Sequence, residues 1–330
     1  MSDEGPADPA AVHEAITTEI GRVIVGNESI IEGLTISLLT RGHLLLEGIP
    51  GVAKTTLANL VAEVCGLSYR RIQMTPDVLP ADITGTHIYR ESTGEFELRR
   101  GPIFANVVVA DEINRATPKT QSALLEAMQE RQVTLEGETL ALPAPFMVIA
   151  TQNPLEEEGV YSLPIAQRDR FQLKLVMGTP ARELERELLK RFQGDPDLGV
   201  ELVGRVIDPA DLLAAQAIVA DVHVSDVITE YLLDLVAASR SHPDVNHGIS
   251  PRAAIAFQDV AKAKAAIEGR SYVLPDDLRS LAVEVMEHRL VLSADAELSG
   301  VSPTDIVFDV VDSVEPPGAS AAEVAELVED

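Results

Sequence analysis

Gly48-Ile49-Pro50-Gly51-Val52-Ala53-Lys54-Thr55-Thr56 follows a short apolar run, His43 to Glu47, and precedes Leu57, Leu60, Val61 and Val64 at i, i+3, i+4 and i+7. The stretch reads as a strand, a tight loop and a helix. In such a loop, backbone N–H groups and the helix N-terminus wrap around a polyphosphate. Lys54 would then reach the terminal phosphates and the Thr55 hydroxyl would ligate Mg²⁺. Gly48, Pro50, Gly51, Val52, Ala53 and Thr56 would complete the cradle. The pattern G-x-x-x-x-G-K-S/T is missed at one position, where Ala53 replaces the last glycine. Alanine adds only a methyl group and tolerates a helical start. The plainer reading, a Gly/Pro turn between two ordinary elements, loses ground as the rest of the chain is read.

With 330 residues, 46% of them hydrophobic, the chain has material for two domains with sizeable cores. No apolar run reaches the ~18–20 residues of a membrane span. The first residues are acidic and carry no apolar signal core, which disfavours secretion and leads us to expect a cytoplasmic protein. Cys65 is the only cysteine, so no intramolecular disulfide forms, and its place on the apolar side of the loop helix marks a small core residue. Lys and Arg number 26 against 53 Asp and Glu, a net charge of −27, which disfavours a large nucleic-acid footprint. The acidity is spread along the chain and reads as a solvated surface suited to high cytoplasmic salt.

Taken in order, residues 1–9 have a disordered composition. Helical spacing covers Ala10 to Ile24 and about Glu28 to Thr40. The break at Val25-Gly26-Asn27 places Gly26 where a nucleotide base could rest. After the loop helix, Ser68 to Gln73 reads as a strand. Residues 74–101 form a connection too long for a passive loop, with a turn at Asp82 to Gly85 and two short strands around Gly94. Val107-Val108-Val109-Ala110 is a buried strand ending in Asp111-Glu112. Beside a phosphate loop, Asp111 would hold the Mg²⁺ water shell and Glu112 would polarise the attacking water. Thr117-Pro118 opens a helix, residues 131–145 hold a second hairpin, and Phe146 to Ala150 is another buried strand. Asn153 follows it, at the strand end where open α/β sheets bind ligands, and could position water against the terminal phosphate. Arg168 and Arg170 precede a last strand, Phe171 to Leu175; an arginine here could serve a neighbouring subunit's phosphate.

A boundary falls near Met177 to Pro180. Helical patterns follow at 181–193, about 209–221, 224–240, 251–268 and 275–287. Ser250-Pro251-Arg252 opens one of them, and Arg252 in a first turn opposes the helix dipole, which favours an anion-binding role. Residues 313–330 read as an acidic tail. No internal repeat or metal-ligand cluster stands out, and the seven histidines are scattered.

Strand–loop–helix, strand-Asp-Glu, strand-Asn, Arg before the last strand and a helical lid together resemble the AAA+ ATPases. Residues 42–55, Arg99 to Asn106, Ala110 to Ala116 and Ala150 to Pro154 are similar to motifs of the MoxR family. The resemblance covers about residues 10–300 and makes Ala53 ordinary. It implies an α/β fold: a P-loop core at 10–179, whose parallel sheet is sandwiched by helices, and an all-α lid at 180–312. It makes residues 74–101 the helix-2 insert and 131–145 the pre-sensor-1 hairpin. Asn153 then matches sensor 1, Arg170 the arginine finger and Arg252 sensor 2. The chain departs from the family at Ile165 and Arg168, so Arg168 competes with Arg170, and whether Arg252 serves its own nucleotide or a neighbour's stays open. The resemblance further implies ATP and Mg²⁺, a homo-oligomeric, hexameric ring, a von Willebrand factor A domain partner and client proteins.

The expected function is Mg²⁺-dependent ATP hydrolysis that remodels or matures a client. A magnesium-chelatase-like motor subunit is the closest alternative. A nucleic-acid translocase is disfavoured by the charge and the lack of a stacking platform. A nucleotide-gated scaffold is disfavoured by the intact Asp111-Glu112 pair.

Overall fold

The structure is a computed structural model that describes residues 7–92, 94–154, 159–179, 181–194 and 200–318. The first six residues of the expected disordered segment and residues 319–330 of the expected tail lie outside this set. Asp8 accepts a hydrogen bond from the Ala10 N–H, and α1 (Pro9–Ile20) begins inside the stretch expected to be disordered.

Five parallel strands form the central sheet. They are β1 (Leu44–Gly48), β2 (Tyr69–Gln73), β5 (Val107–Asp111), β8 (Met147–Gln152) and β9 (Leu173–Met177), in the order β2-β5-β8-β1-β9. The middle strands are apolar throughout because helices cover both faces. Leu44, Leu46, Val107, Val109, Met147 and Ile149 join one cluster with Leu57, Leu60 and Val61 of α3 (Lys54–Val64). Leu45, Val108, Ala110, Val148 and Ala150 face the other way, onto Leu124, Leu125 and Met128 of α5 (Pro118–Glu130). The edge strand β2 has one buried residue, Ile72. α2 (Glu28–Leu39) contributes Ile30, Ile31 and Leu34 to the first cluster.

Two antiparallel hairpins interrupt this α/β order: β3 (Gly85–Arg90) with β4 (Glu95–Arg100), and β6 (Gln132–Leu135) with β7 (Glu138–Ala141). The turn expected at Asp82 to Gly85 is instead the end of a short helix, α4 (Pro80–Thr84). Pro80 supplies a helical φ at its start, and the Asp82 carboxylate accepts the Leu79 N–H at 2.9 Å.

A one-turn helix, α6 (Ile165–Arg168), precedes β9, and the C-terminal helices are α7 (Arg182–Gly194), α8 (Pro209–Ala220), α9 (Asp226–Ser241), α10 (Pro251–Ile267), α11 (Pro275–Met286), α12 (Ala294–Leu298) and α13 (Pro303–Ser313). The sequence reading lacked α12, α13 and the small pair β10 (Val245–His247) and β11 (Val291–Leu292). α12 is one turn long, and β11 is two residues, too short for periodicity to register. One apolar cluster runs from the sheet face into these helices without a break. Polar ties add to it: Gln216 donates to the Leu38 carbonyl at 2.7 Å, and Lys174 bridges Glu47 of β1 and Glu287 after α11.

His43 is buried just before β1. The Val148 N–H donates to its Nδ1 at 3.0 Å, so Nε2 carries the proton and donates to the Met128 carbonyl at 3.0 Å. Burial pushes the His43 pKa down to about 4. Between pH about 4 and 6.5 the unfolded chain therefore binds the proton that the native state refuses. Stability rises with pH across this window and is lost as pH falls below 6.5. In urea melts, His43→Gln should show a shallower loss, the wild type falling by up to about 1.4 kcal/mol per pH unit more steeply. Ala53 holds φ +64°, a left-handed conformation that L residues resist, immediately before the helix that begins at Lys54 as expected. Ala53→Gly should raise stability by about 1 kcal/mol, read as a higher urea midpoint at unchanged slope.

Candidate functional site

The phosphate-type loop lies at the carboxyl end of the sheet, where β1 stops at Gly48 and α3 starts at Lys54. No side chain caps α3, so its first-turn N–H groups are available to an anion. Gly51 has φ +88°, and a Cβ there would meet nothing within 4 Å, which leaves the inside of the loop open. Gly48 is needed for another reason: a Cβ would lie 2.7 Å from the Met177 carbonyl oxygen. Lys54 Nζ donates to the Gly48 carbonyl and to the Gln152 carbonyl at 3.1 Å, so its ammonium bridges the ends of β1 and β8. Gly26, at φ +74°, packs where a Cβ would lie 2.8 Å from Leu184 Cδ1. The Gly26 turn thus abuts α7, the helix that follows β9, whose end touches Gly48.

Asp111 and Glu112 close β5 beside this loop. Asp111 is 8% exposed and accepts from Thr151 Oγ1 at 2.5 Å and from Arg71 Nε at 3.0 Å. Glu112 has φ +57° and ψ +53°, and its N–H donates to Thr151 Oγ1 at 2.9 Å. Its carboxylate accepts from Gln73 Nε2 at 2.7 Å and lies 3.3 Å from Arg115 Nε. A left-handed non-glycine residue gripped at both ends is stored strain of the kind found at working sites. Asn153 is buried immediately after the carbonyl of Gln152 that Lys54 contacts. Thr55 and Thr56 are half-buried in the first turn of α3. A threonine hydroxyl and a carboxylate are hard oxygen donors of the type Mg²⁺ takes, so the residues present fit a magnesium nucleotide.

Sequence reasoning missed Arg71, Gln73 and Thr151. Arg71 and Gln73 alternate on β2, and Gln73 pairs in register with Asp111. The period of two was visible; the strand neighbour it addressed was not.

Arg170, expected to serve a neighbour's phosphate, and Arg252, whose target was left open, both lie away from this loop. Arg170 and Arg252 line one cavity of about 240 Å³ with Arg41, Arg131, Arg289 and His43. This cavity is at the amino end of β1, and β1 alone spans roughly 15 Å. Arg168, the competing candidate, is not among its lining residues. Burial and the Arg41 charge both push the Arg131 pKa down. Arg41 is fixed by Gln216 of α8 at 2.9 Å, and the Arg131 guanidinium by the Arg41 carbonyl at 2.9 Å. Asp169 and Asp259 are the acidic lining residues. A cavity with this excess of cations suits a phosphate group.

The profile of the ATPase family associated with various cellular activities matches residues 43–173, and that of an AAA lid domain matches residues 237–310. The chain is 45% identical to the uncharacterized protein YeaC of Bacillus subtilis, over 90% of this chain and 92% of the relative. It is 42% identical to chaperone MoxR1 of Mycobacterium tuberculosis, over 96% of this chain and 86% of the relative. A solved structure from Cytophaga hutchinsonii, assigned as a candidate ATPase, superposes with a TM-score of 0.86 at 39% identity, over 94% of this chain and 97% of that one. The site, the fold and these relatives agree: the chain belongs to the MoxR family of AAA+ ATPases and is an ATP hydrolase.

Proposed function

We propose that this ATPase hydrolyses Mg-ATP at interfaces between copies of itself, each copy binding nucleotide at its own loop and lending arginines to the next. The observation that carries this reading is the separation of Arg170 and Arg252 from the loop of their own chain, at opposite ends of the sheet. Arg252 therefore serves a neighbour, and Arg170 is the better finger candidate than Arg168.

In this reading Gly48, Pro50, Gly51, Val52, Ala53, Lys54, Thr55 and Thr56 cradle the phosphates, and Gly26 borders the base. Thr55 and Asp111 would hold the metal, which would supply charge neutralisation on the phosphate oxygens. Glu112 takes the proton of the attacking water and Asn153 orients that water. Gln73 and the Thr151 hydroxyl keep Glu112 in place, so little rearrangement is needed when charge builds up. Lys54 and the incoming arginines meet that charge.

A homo-oligomeric, hexameric ring, a von Willebrand factor A domain partner and a cytoplasmic setting belong to the same proposal. Among the described residues no helix is long and apolar enough to cross a membrane. The chaperone name of the Mycobacterium relative supports client remodelling, with the β3–β4 hairpin and its exposed Tyr89–Phe96 pair, 5.4 Å apart, as the contact element.

Lys54→Ala should abolish nucleotide binding in calorimetry. Glu112→Gln should bind Mg-ATP normally yet lose turnover by about 10²- to 10⁴-fold in a phosphate-release assay; retained turnover would remove Glu112 from its role. Arg170→Ala or Arg252→Ala alone should bind nucleotide but turn over slowly, and mixing either with Lys54→Ala should restore activity above the sum of the two. No restoration in assembled mixtures would sink the shared-site reading.

A further inference from the structure

The segment that carries Arg170 is bonded to the lid more heavily than its short length requires. Arg289, which follows α11 and is 3% exposed, donates through Nε to Asp169 Oδ1 at 3.0 Å. Its Nη2 donates to the Phe171 carbonyl at 2.6 Å, and its Nη1 to the Gln172 carbonyl at 3.1 Å and the Val285 carbonyl. His288, also buried, places Nε2 at 3.0 Å from the same Phe171 carbonyl. The other Asp169 oxygen accepts from Ser250 Oγ at 3.0 Å. Ser250 is in turn the N-cap of α10, taking the Ala253 N–H at 3.0 Å, and Arg252 stands two residues further on.

One carboxylate thus joins three pieces of chain. It precedes Arg170 directly, it neutralises a buried guanidinium of the lid, and it holds the cap of the helix that presents Arg252. The core holds the same segment through Phe171, fully buried in the cluster with Leu124 and Met128, and through Gln172, whose N–H donates to the His43 carbonyl at 2.7 Å and whose amide oxygen accepts from Thr40. Among the described residues Arg170 Nε has no hydrogen-bond partner, so that atom does not fix the side chain. Its placement relative to Arg252 is set through the neighbouring Asp169.

We propose that Asp169 is a positioning residue for phosphoryl transfer: clamped by Arg289 and Ser250, it locks Arg170 and Arg252 into one unit aimed at a phosphate held by a neighbouring copy. This rests on the shared-site reading above. The clamp makes the lid of one subunit and the phosphate environment of the next parts of a single rigid connection. A low-dielectric, fully bonded ion pair is well suited to that, because its geometry is narrow and it breaks as a whole. Rotation of the lid then moves both arginines together, and a neighbour's site gains or loses both cations in one step.

The test uses the full chain. Asp169→Asn keeps the size of the side chain and removes the charge that pairs with Arg289. It should assemble, melt below wild type because the buried Arg289 loses its counter-charge, and bind a fluorescent ATP analogue with unchanged affinity at temperatures where it is folded, yet lose about 10- to 100-fold in kcat, the cost of misplacing a transition-state contact by about 1 Å. Mixing it with Lys54→Ala should restore turnover, because an intact loop from one copy then meets an intact clamp from the other. In an Arg170→Ala/Arg252→Ala background the substitution should change kcat by less than about twofold, since effects of residues acting as a unit do not add. If Asp169→Asn fails to fold, Ser250→Gly, which keeps an acceptable N-cap and deletes one arm of the clamp, should lower kcat about 3- to 10-fold at unchanged nucleotide affinity. Wild-type kcat in either folded variant overturns the proposal. So does a loss that Lys54→Ala cannot rescue while the same mixture rescues Arg170→Ala. Failure of the Arg170→Ala mixture itself indicts the shared site, and not the clamp.

Discussion

A parallel sheet has two chemically different ends, and everything functional in this protein follows from that polarity. At the carboxyl end the strands stop and release their chains into turns, leaving carbonyls and helix N-termini around one space. The loop before α3, the Asp111-Glu112 turn and the Thr151 hydroxyl meet there because β1, β8 and β5 are adjacent in the sheet. At the amino end the chain brings in cations instead: Arg170 just before β9, Arg131 after α5, Arg41 after α2 and Arg252 from the lid. Anion cradle and cation cluster are therefore held apart by the length of the strands.

That separation gives the lid its significance. Its apolar helices are continuous with the core cluster on one face of the sheet, so it is not a loosely tethered cap. Two of its polar ties to the core are buried ion pairs. Lys174 ties β9 and β1 to Glu287, and burial, which alone would lower the Lys174 pKa, is outweighed by the hydrogen bonds and charges of Glu47 and Glu287, which hold it up. Arg289 ties the Arg170 segment to α11, and burial pushes its own pKa down even against Asp169. Both are ion pairs removed from water, where geometry is narrow and a lost partner is costly. The lid is thereby tied to the sheet edge and to the Arg170 segment at once.

Much of the site was legible as local pattern. The loop from Gly48 to Thr56 was readable because glycines, a lysine and a threonine at fixed spacing answer one chemical need. Asp111 and Glu112 were readable because an apolar run that ends in two acids has few structural uses. The parallel, helix-covered sheet was readable because its strands lack alternation. The Asp82 turn was misjudged, since Pro80 with a capping carboxylate starts a helix as readily as a turn. The left-handed φ of Ala53 was not legible, because composition says nothing about the sign of φ.

The sequence by itself determined which chemical groups this protein owns and the order in which they leave the strands, because loop spacing and strand ends are local properties of the chain. Tertiary structure alone decided who meets whom. Gln73 reaches Glu112 only because β2 lies beside β5, and Asp169 reaches Arg289 and Ser250 only because the lid folds back over residues more than eighty positions earlier. Arg252, whose target the sequence left open, stands beside Arg170 and away from its own loop for the same reason: the packing of the lid brings the start of α10 to the amino end of the sheet, and no local rule carries that information.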